Sequence, residues 1–171
     1  MTRKEVELSL ATKKDIPRIV SFLSKPEIDR AFVPHLSQRS LSIEERVESK
    51  LVKGFWLIAY HNKVIVGCRG CNGIVDQIKG VVEFSTIAVA QNLQRTGIGV
   101  LLLRTAVKIA LERYAPSVMK FDSWSTNTTI ERMALKVGFI KNRTFEDPAK
   151  RPPGIQSVEY ILDCSKHIRE Q

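Results

Sequence analysis

The segment Val89-Ala90-Gln91-Asn92-Leu93-Gln94-Arg95-Thr96-Gly97-Ile98-Gly99 joins two different periodicities. Upstream, residues 80–89 are rich in β-branched and aromatic side chains and read as a strand. Downstream, residues 97–114 read as the chain's longest helix, stopped by Pro116. Its expected inward stripe is Ile98, Leu101, Leu102, Thr105, Ala106 and Ile109. The chain therefore leaves a strand, turns, and opens a helix on two glycines. At such a start the first N–H groups have no partner within the helix, and the helix dipole is positive there. Glycine lets backbone approach a ligand closely, and Arg95 adds a positive charge. Together these make a site suited to phosphate. It is not a P-loop, because no Gly-Lys-Ser/Thr follows, nor the dinucleotide fingerprint, because Leu102 stands where a third glycine is needed.

The rest of the chain alternates strands and helices. Residues 6–10 read as a strand, and Thr12 as the cap of a helix whose apolar face is Ile16, Ile19, Val20 and Leu23. Ser42-Ile43-Glu44-Glu45 is a capping box opening a second helix that Gly54 closes. Residues 55–60 and 63–75 read as a hairpin about His61-Asn62. After the long helix come a strand at 119–124, a helix at 127–137 stopped by Gly138, an extended segment at 139–144, and a last strand at 158–162. The order β-α-α-β-β-β-α-β-α-β-β implies a mixed sheet of α/β class with helices on both faces. The 171 residues fit a single domain, 1–171.

Composition narrows the class. Hydrophobic residues make up 43% and charged residues 26%, a globular balance. No apolar run approaches the roughly 20 residues of a membrane helix. The N-terminus runs into the first strand pattern with no secretion signal, so a cytoplasmic location is expected. The net charge of +9 is spread along the chain rather than gathered in a tail. A diffuse basic surface suits a phosphorylated small molecule, a nucleic acid or plain solvation. No clustered charge or reading element points to nucleic acid, which ranks last. Cys68 and Cys71 form a C-x-x-C, yet both lie in a strand and no second ligand pair follows. Structural cysteines and no metal site are expected.

Gln94-Arg95-Thr96-Gly97-Ile98-Gly99 resembles the acetyl-CoA pyrophosphate loop of the GNAT superfamily of N-acetyltransferases. Asn127, followed eleven residues later by Gly138-Phe139, resembles that family's helix at the far side of the cofactor. The element order matches as well. The resemblance implies the GNAT acyl-CoA N-acyltransferase fold, with a mostly antiparallel sheet of about seven strands. It implies transfer of an acetyl group from acetyl-CoA to a primary amine of a small molecule, an amino acid or a peptide or protein N-terminus. It also makes a homodimer the expected assembly. The backbone of Arg95, Thr96, Gly97, Ile98, Gly99 and Val100 would bind the pyrophosphate, with Gln94 opening the motif. Ile87, Ala88 and Val89 would pair with the pantetheine arm like an added strand, and Asn127 would hydrogen-bond the arm or cap its own helix.

Acetyl transfer needs a base for the ammonium and a stabilised leaving thiolate. Glu83 precedes Gln94 by eleven residues, a spacing at which several GNAT members place a catalytic glutamate. Its place between Val82 and Phe84 predicts an apolar pocket, a setting that suits a carboxylate base. Binding a cationic substrate, or capping a structural network, are the alternatives for Glu83. The tyrosine with which many members protonate the thiolate would fall at Ala134. Ser85, Ser123, Ser125, Thr126, Tyr160 or water are the remaining proton donors. The missing tyrosine also supports a second reading, an acyl-CoA-binding sensor without turnover. By the resemblance, residues 26–42 and 145–157 build the acceptor site, with Phe32, Pro34, His35, Arg39 and Arg151 as candidate lining. Basic residues there favour an acceptor with a carboxylate or phosphate.

Overall fold

The computed structural model describes residues 6–28, 42–148, 151 and 153–166. Seven strands and four α-helices of two turns or more lie among them. In chain order these are β1 (Glu7–Leu10), α1 (Ile16–Leu23), α2 (Ile43–Lys53), β2 (Phe55–His61), β3 (Val64–Asp76) and β4 (Val81–Val89). Then follow α3 (Ile98–Tyr114), β5 (Val118–Trp124), α4 (Thr128–Val137), β6 (Ile140–Phe145) and β7 (Ser157–Asp163). The order is the one read from the sequence. Local signals place the boundaries. Ser42 Oγ accepts from the Glu45 amide and Glu45 Oε2 accepts from the Ser42 amide, the reciprocal capping box that starts α2. Gly138 ends α4 in the left-handed conformation, with φ of 102°.

The strands form one sheet in the order β1-β2-β3-β4-β5-β7-β6. Every pairing is antiparallel except β4 with β5. Strand alternation sends side chains to two cores. Trp56, Ile58 and Cys68 pack with Ile19, Phe22 and Val47 of α1 and α2. Leu57, Phe84 and Met119 pack with Ile98, Leu102 and Ala106 of α3 and with Met133 of α4. The buried face of α3 is Ile98, Leu102, Leu103, Ala106, Val107 and Ala110. Leu101, Thr105 and Ile109 are only half-buried on its flank. The expected stripe was thus displaced around the helix, toward the flank where α4 approaches through Met133 beside Gly99 and the Lys136 carbonyl beside Arg104.

Cys68 and Cys71 fall in opposite cores. A three-residue offset along a strand reverses the side-chain direction, so they cannot share a metal ion. All three cysteines are buried thiols. Among the described residues no group of three or more potential metal ligands gathers, and no helix is long and apolar enough to cross a membrane.

One feature of the sheet positions the site. β4 and β5 pair only at Val81–Val118, Val82–Met119 and Glu83–Lys120. Beyond Glu83 they part. From Phe84 to Val89, β4 keeps β3 on one edge and, among the described residues, has no strand on the other. An irregular register between Arg69 and Cys71, facing Ile87 and Phe84, puts one extra residue into β4 at this point.

Candidate active site

The opening between β4 and β5 leads into a cavity of about 550 Å³. Its walls include Glu83 to Val89 of β4, Phe121 to Trp124 of β5, Gln94, Arg95 and Gly99 of the loop, and Asn127 and Met133 from the start and middle of α4. The loop and both strands therefore face one space.

The loop has the backbone that its glycines predict. Gln94 is extended, whereas Arg95 and Gly97 are left-handed, with φ of 65° and 94°. Arg95 is a non-glycine residue in that region, a strain retained where function or packing requires it. Thr96 Oγ1 donates to the Leu93 carbonyl at 2.6 Å, and Gln94 Nε2 donates to the Val89 carbonyl at 3.3 Å. Both side chains thus brace the loop from within. Among the described residues, no protein acceptor takes the N–H groups of residues 95–100. Six main-chain donors at the positive end of the 17-residue helix α3 are therefore free.

Asn127 caps α4, its Oδ1 accepting from the Ile130 amide at 3.1 Å. That bond occupies its carbonyl oxygen, and the residue itself lines the cavity. Ile87, Ala88 and Val89 line the cavity along the free edge of β4. The sequence-predicted cofactor residues thus lie along one path from the α3 terminus into the cleft.

Glu83 stands where β4 and β5 part, and its surroundings correct the expectation of an apolar pocket. Its Oε1 accepts from Asn72 Nδ2 at 2.7 Å, and its Oε2 lies 3.6 Å from Lys120 Nζ. Lys120 also approaches Glu159 at 3.9 Å. Glu159 accepts from Asn142 Nδ2 at 2.8 Å and from Arg143 Nε at 3.0 Å. The partners of Glu83 come from β3 and β5, and the network continues through Glu159 of β7 to β6, so no local pattern around Glu83 announces them.

Burial pushes the Glu159 carboxyl up, but the donors on Asn142 and Arg143 and the charge of Lys120 outweigh it and hold Glu159 below the ordinary range. A carboxyl depressed on folding stabilises the fold above its ordinary value and loses that contribution as pH falls through the folded value. Glu159→Gln is expected to lower the melting temperature near neutral pH and to flatten the loss on acidification. Thermal unfolding from about pH 7 to about pH 3 measures both effects.

The Ala134 position is fully buried, so α4 offers no hydroxyl there. Of the other candidates, Ser85 and Ser123 line the cavity. Tyr160 does not serve: it is buried in the core, stacked on Phe121 at 5.3 Å, and burial raises its hydroxyl above the usual range. Arg151 lines the cavity and pairs with Asp122. Phe32, Pro34, His35 and Arg39 lie outside the described residues.

Sequence reasoning missed Arg69. It is 1% exposed yet borders the cavity, and its Nη1 donates to the Ser85 carbonyl at 2.8 Å. Burial pushes its guanidinium down to about 9, which leaves it charged at neutral pH. The available signal was a charge in the middle of the apolar run from Ile65 to Cys71.

A family model described as "Acetyltransferase (GNAT) family" matches residues 24–139. The chain belongs to the GNAT acetyltransferase family. It is an N-acetyltransferase, and its seven-stranded, mostly antiparallel mixed sheet is the GNAT fold. Solved GNAT structures share that fold across almost the whole chain. A GNAT acetyltransferase from Streptococcus pneumoniae is 19% identical with a TM-score of 0.75, covering 93% of this chain and 99% of that one. A ribosomal-protein-alanine N-acetyltransferase from Brucella melitensis is 20% identical with a TM-score of 0.72, covering 92% and 99%. A GNAT acetyltransferase from Elizabethkingia anophelis, with acetyl-CoA bound, is 18% identical with a TM-score of 0.65, covering 94% and 99%. No curated protein matches the sequence significantly.

Proposed function

We propose that this GNAT protein transfers the acetyl group of acetyl-CoA to a primary amine of a small molecule, an amino acid or a peptide or protein N-terminus. The observation that carries the reading is the set of six free amides at residues 95–100, at the end of a cleft whose β4 edge has no strand partner. The amides suit a diphosphate. The open edge suits an extended amide-bearing arm that adds to the sheet through its own backbone-like groups. In this reading Arg95, Thr96, Gly97, Ile98, Gly99 and Val100 hold the diphosphate. Gln94 and Thr96 brace that loop, Ile87 to Val89 pair with the arm, and Asn127 donates to it. The Elizabethkingia anophelis relative, solved with acetyl-CoA, supports the choice of carrier.

The chain's own groups then divide the chemistry. Glu83 takes a proton from the bound ammonium, and the neutral amine then attacks. An amide at the irregular stretch of β4 faces the thioester oxygen and stabilises it as charge develops. Calorimetry with acetyl-CoA, followed by a thiol-release screen over an amine library, tests the reading. Binding of about micromolar strength and thiol release with at least one amine are expected. Absence of binding overturns the cofactor assignment. Binding without release by any amine would favour the sensor alternative.

A further inference from the structure

We propose that Arg69 is the fixed positive charge that stabilises the thiolate of coenzyme A as it departs. The inference rests on the coenzyme A reading above. Arg69 reaches from β3 beneath β4 to the closed end of the cleft. Its guanidinium lies 5.2 Å from the ring centre of Phe84 and 4.9 Å from that of Phe121. Nη1 is spent on the Ser85 carbonyl, while Nε and Nη2 find no acceptor among the described residues. No carboxylate among those residues pairs with it. A neutral amide could hold the Ser85 carbonyl without the cost of burying a charge. The charge itself therefore calls for an anion that is present only during function.

The cleft geometry says where that anion forms. An arm anchored at residues 95–100 and paired with Val89, Ala88 and Ile87 runs toward Ser85, and Arg69 is the register partner of Ile87. The sulfur at the end of the arm arrives beside the guanidinium. When the amine nitrogen attacks the acyl carbon, the carbon–sulfur bond breaks and its electron pair goes to sulfur. Glu83 has by then taken one proton from the ammonium; the second nitrogen proton, acidified as the amide forms, passes to water, and the thiolate takes a proton from solvent afterwards. Ala134 stands where many relatives have a tyrosine, so that position of α4 supplies no hydroxyl to the sulfur. A thiolate held beside a fixed charge in a low-dielectric site needs no proton at the moment of departure.

The other charges facing the cavity are Glu27 and Lys50 on the helical side, Glu83 and Asp122 on the strands, and Arg95 and Arg151 on the loops. Glu83 is matched by Lys120 and Asp122 by Arg151. Glu27 and Arg95 are exposed at the mouth, where solvent screens them. Lys50 lies over the Trp56 ring, on the opposite face of the sheet from Phe84.

Ultraviolet titration of the thiolate of bound coenzyme A tests the proposal. The protein's own thiols do not interfere: burial pushes Cys71 and Cys164 up to about 11 and Cys68 higher still. In the wild type, the bound thiol is expected to titrate about one unit or more below its ordinary value of about 8.5. Arg69→Gln should return it to that value or above, with coenzyme A affinity by calorimetry changed less than about threefold. Arg69→Lys, which keeps the charge, should retain most of the shift. A wild-type thiol that titrates unshifted overturns the proposal, and so does a shift that survives in Arg69→Gln. If Arg69→Gln does not fold, Arg69→Met, which can still fill the space between the two rings, takes its place. Failure of the wild type to bind coenzyme A would instead sink the cofactor reading, and this proposal with it.

Discussion

Replacing Glu83 by glutamine is expected to lower kcat by about 10²–10⁴-fold at neutral pH while leaving the affinity for acetyl-CoA unchanged. The substitution is mild in this structure. A glutamine carbonyl can still accept from Asn72 Nδ2, and Lys120 keeps Glu159 as a partner. The fold should survive, so any loss reports on chemistry. An alkylammonium must lose its proton before it can attack, and Glu83 is the carboxylate at the closed end of the cleft, where β4 and β5 part. The deficit should shrink as pH rises and more of the amine arrives neutral. Steady-state kinetics across pH, with the amine varied at saturating acetyl-CoA, measures this. A rise in the KM for amine with kcat intact would reassign Glu83 to binding a cationic acceptor. Full activity at every pH would end the base role.

The features legible in the sequence were those set by neighbours in the chain. Capping at Ser42, the stop at Gly138 and the strand-to-helix change at 89–99 each depend on a few consecutive residues, and all appear where they were expected. What the sequence concealed was set by register between distant strands. Asn72 and Lys120 meet at Glu83 because β3 and β5 flank β4 at that level. Neither residue carries a local mark of that meeting. Arg69 was concealed for the same reason: its burial depends on Phe84 and Phe121 closing over it from two other strands. The flank of α3 was misjudged because Leu101 and Leu103 are equally apolar, and only the placement of neighbouring elements decides which one is covered. The hydroxyls could not be ranked from the sequence for the same reason, since Tyr160 and Ser85 both lie on strands and only one of them lines the cavity.

Gly97→Val is expected to weaken coenzyme A binding by roughly 100-fold, about 2.7 kcal/mol, with little change in melting temperature. Space is not the obstacle, since a Cβ at Gly97 would meet nothing within 4 Å. The obstacle is backbone conformation. At φ of 94° a β-branched residue is strained, and the exposed loop will relieve that strain by rotating rather than by unfolding the helix behind it. Rotation turns the amides of residues 97–99 away from their common direction, and a diphosphate needs them convergent. Gly99 makes the useful contrast. It lies within the helix, and a Cβ there would approach Met133 Sδ at 3.3 Å, a contact a flexible methionine can relieve. Gly99→Ala should therefore weaken binding less than Gly97→Val. Calorimetric titration of both variants, with thermal unfolding alongside, separates the two causes. Equal losses would mean that crowding beside α4, and not the left-handed turn at Gly97, governs how the loop receives its anion.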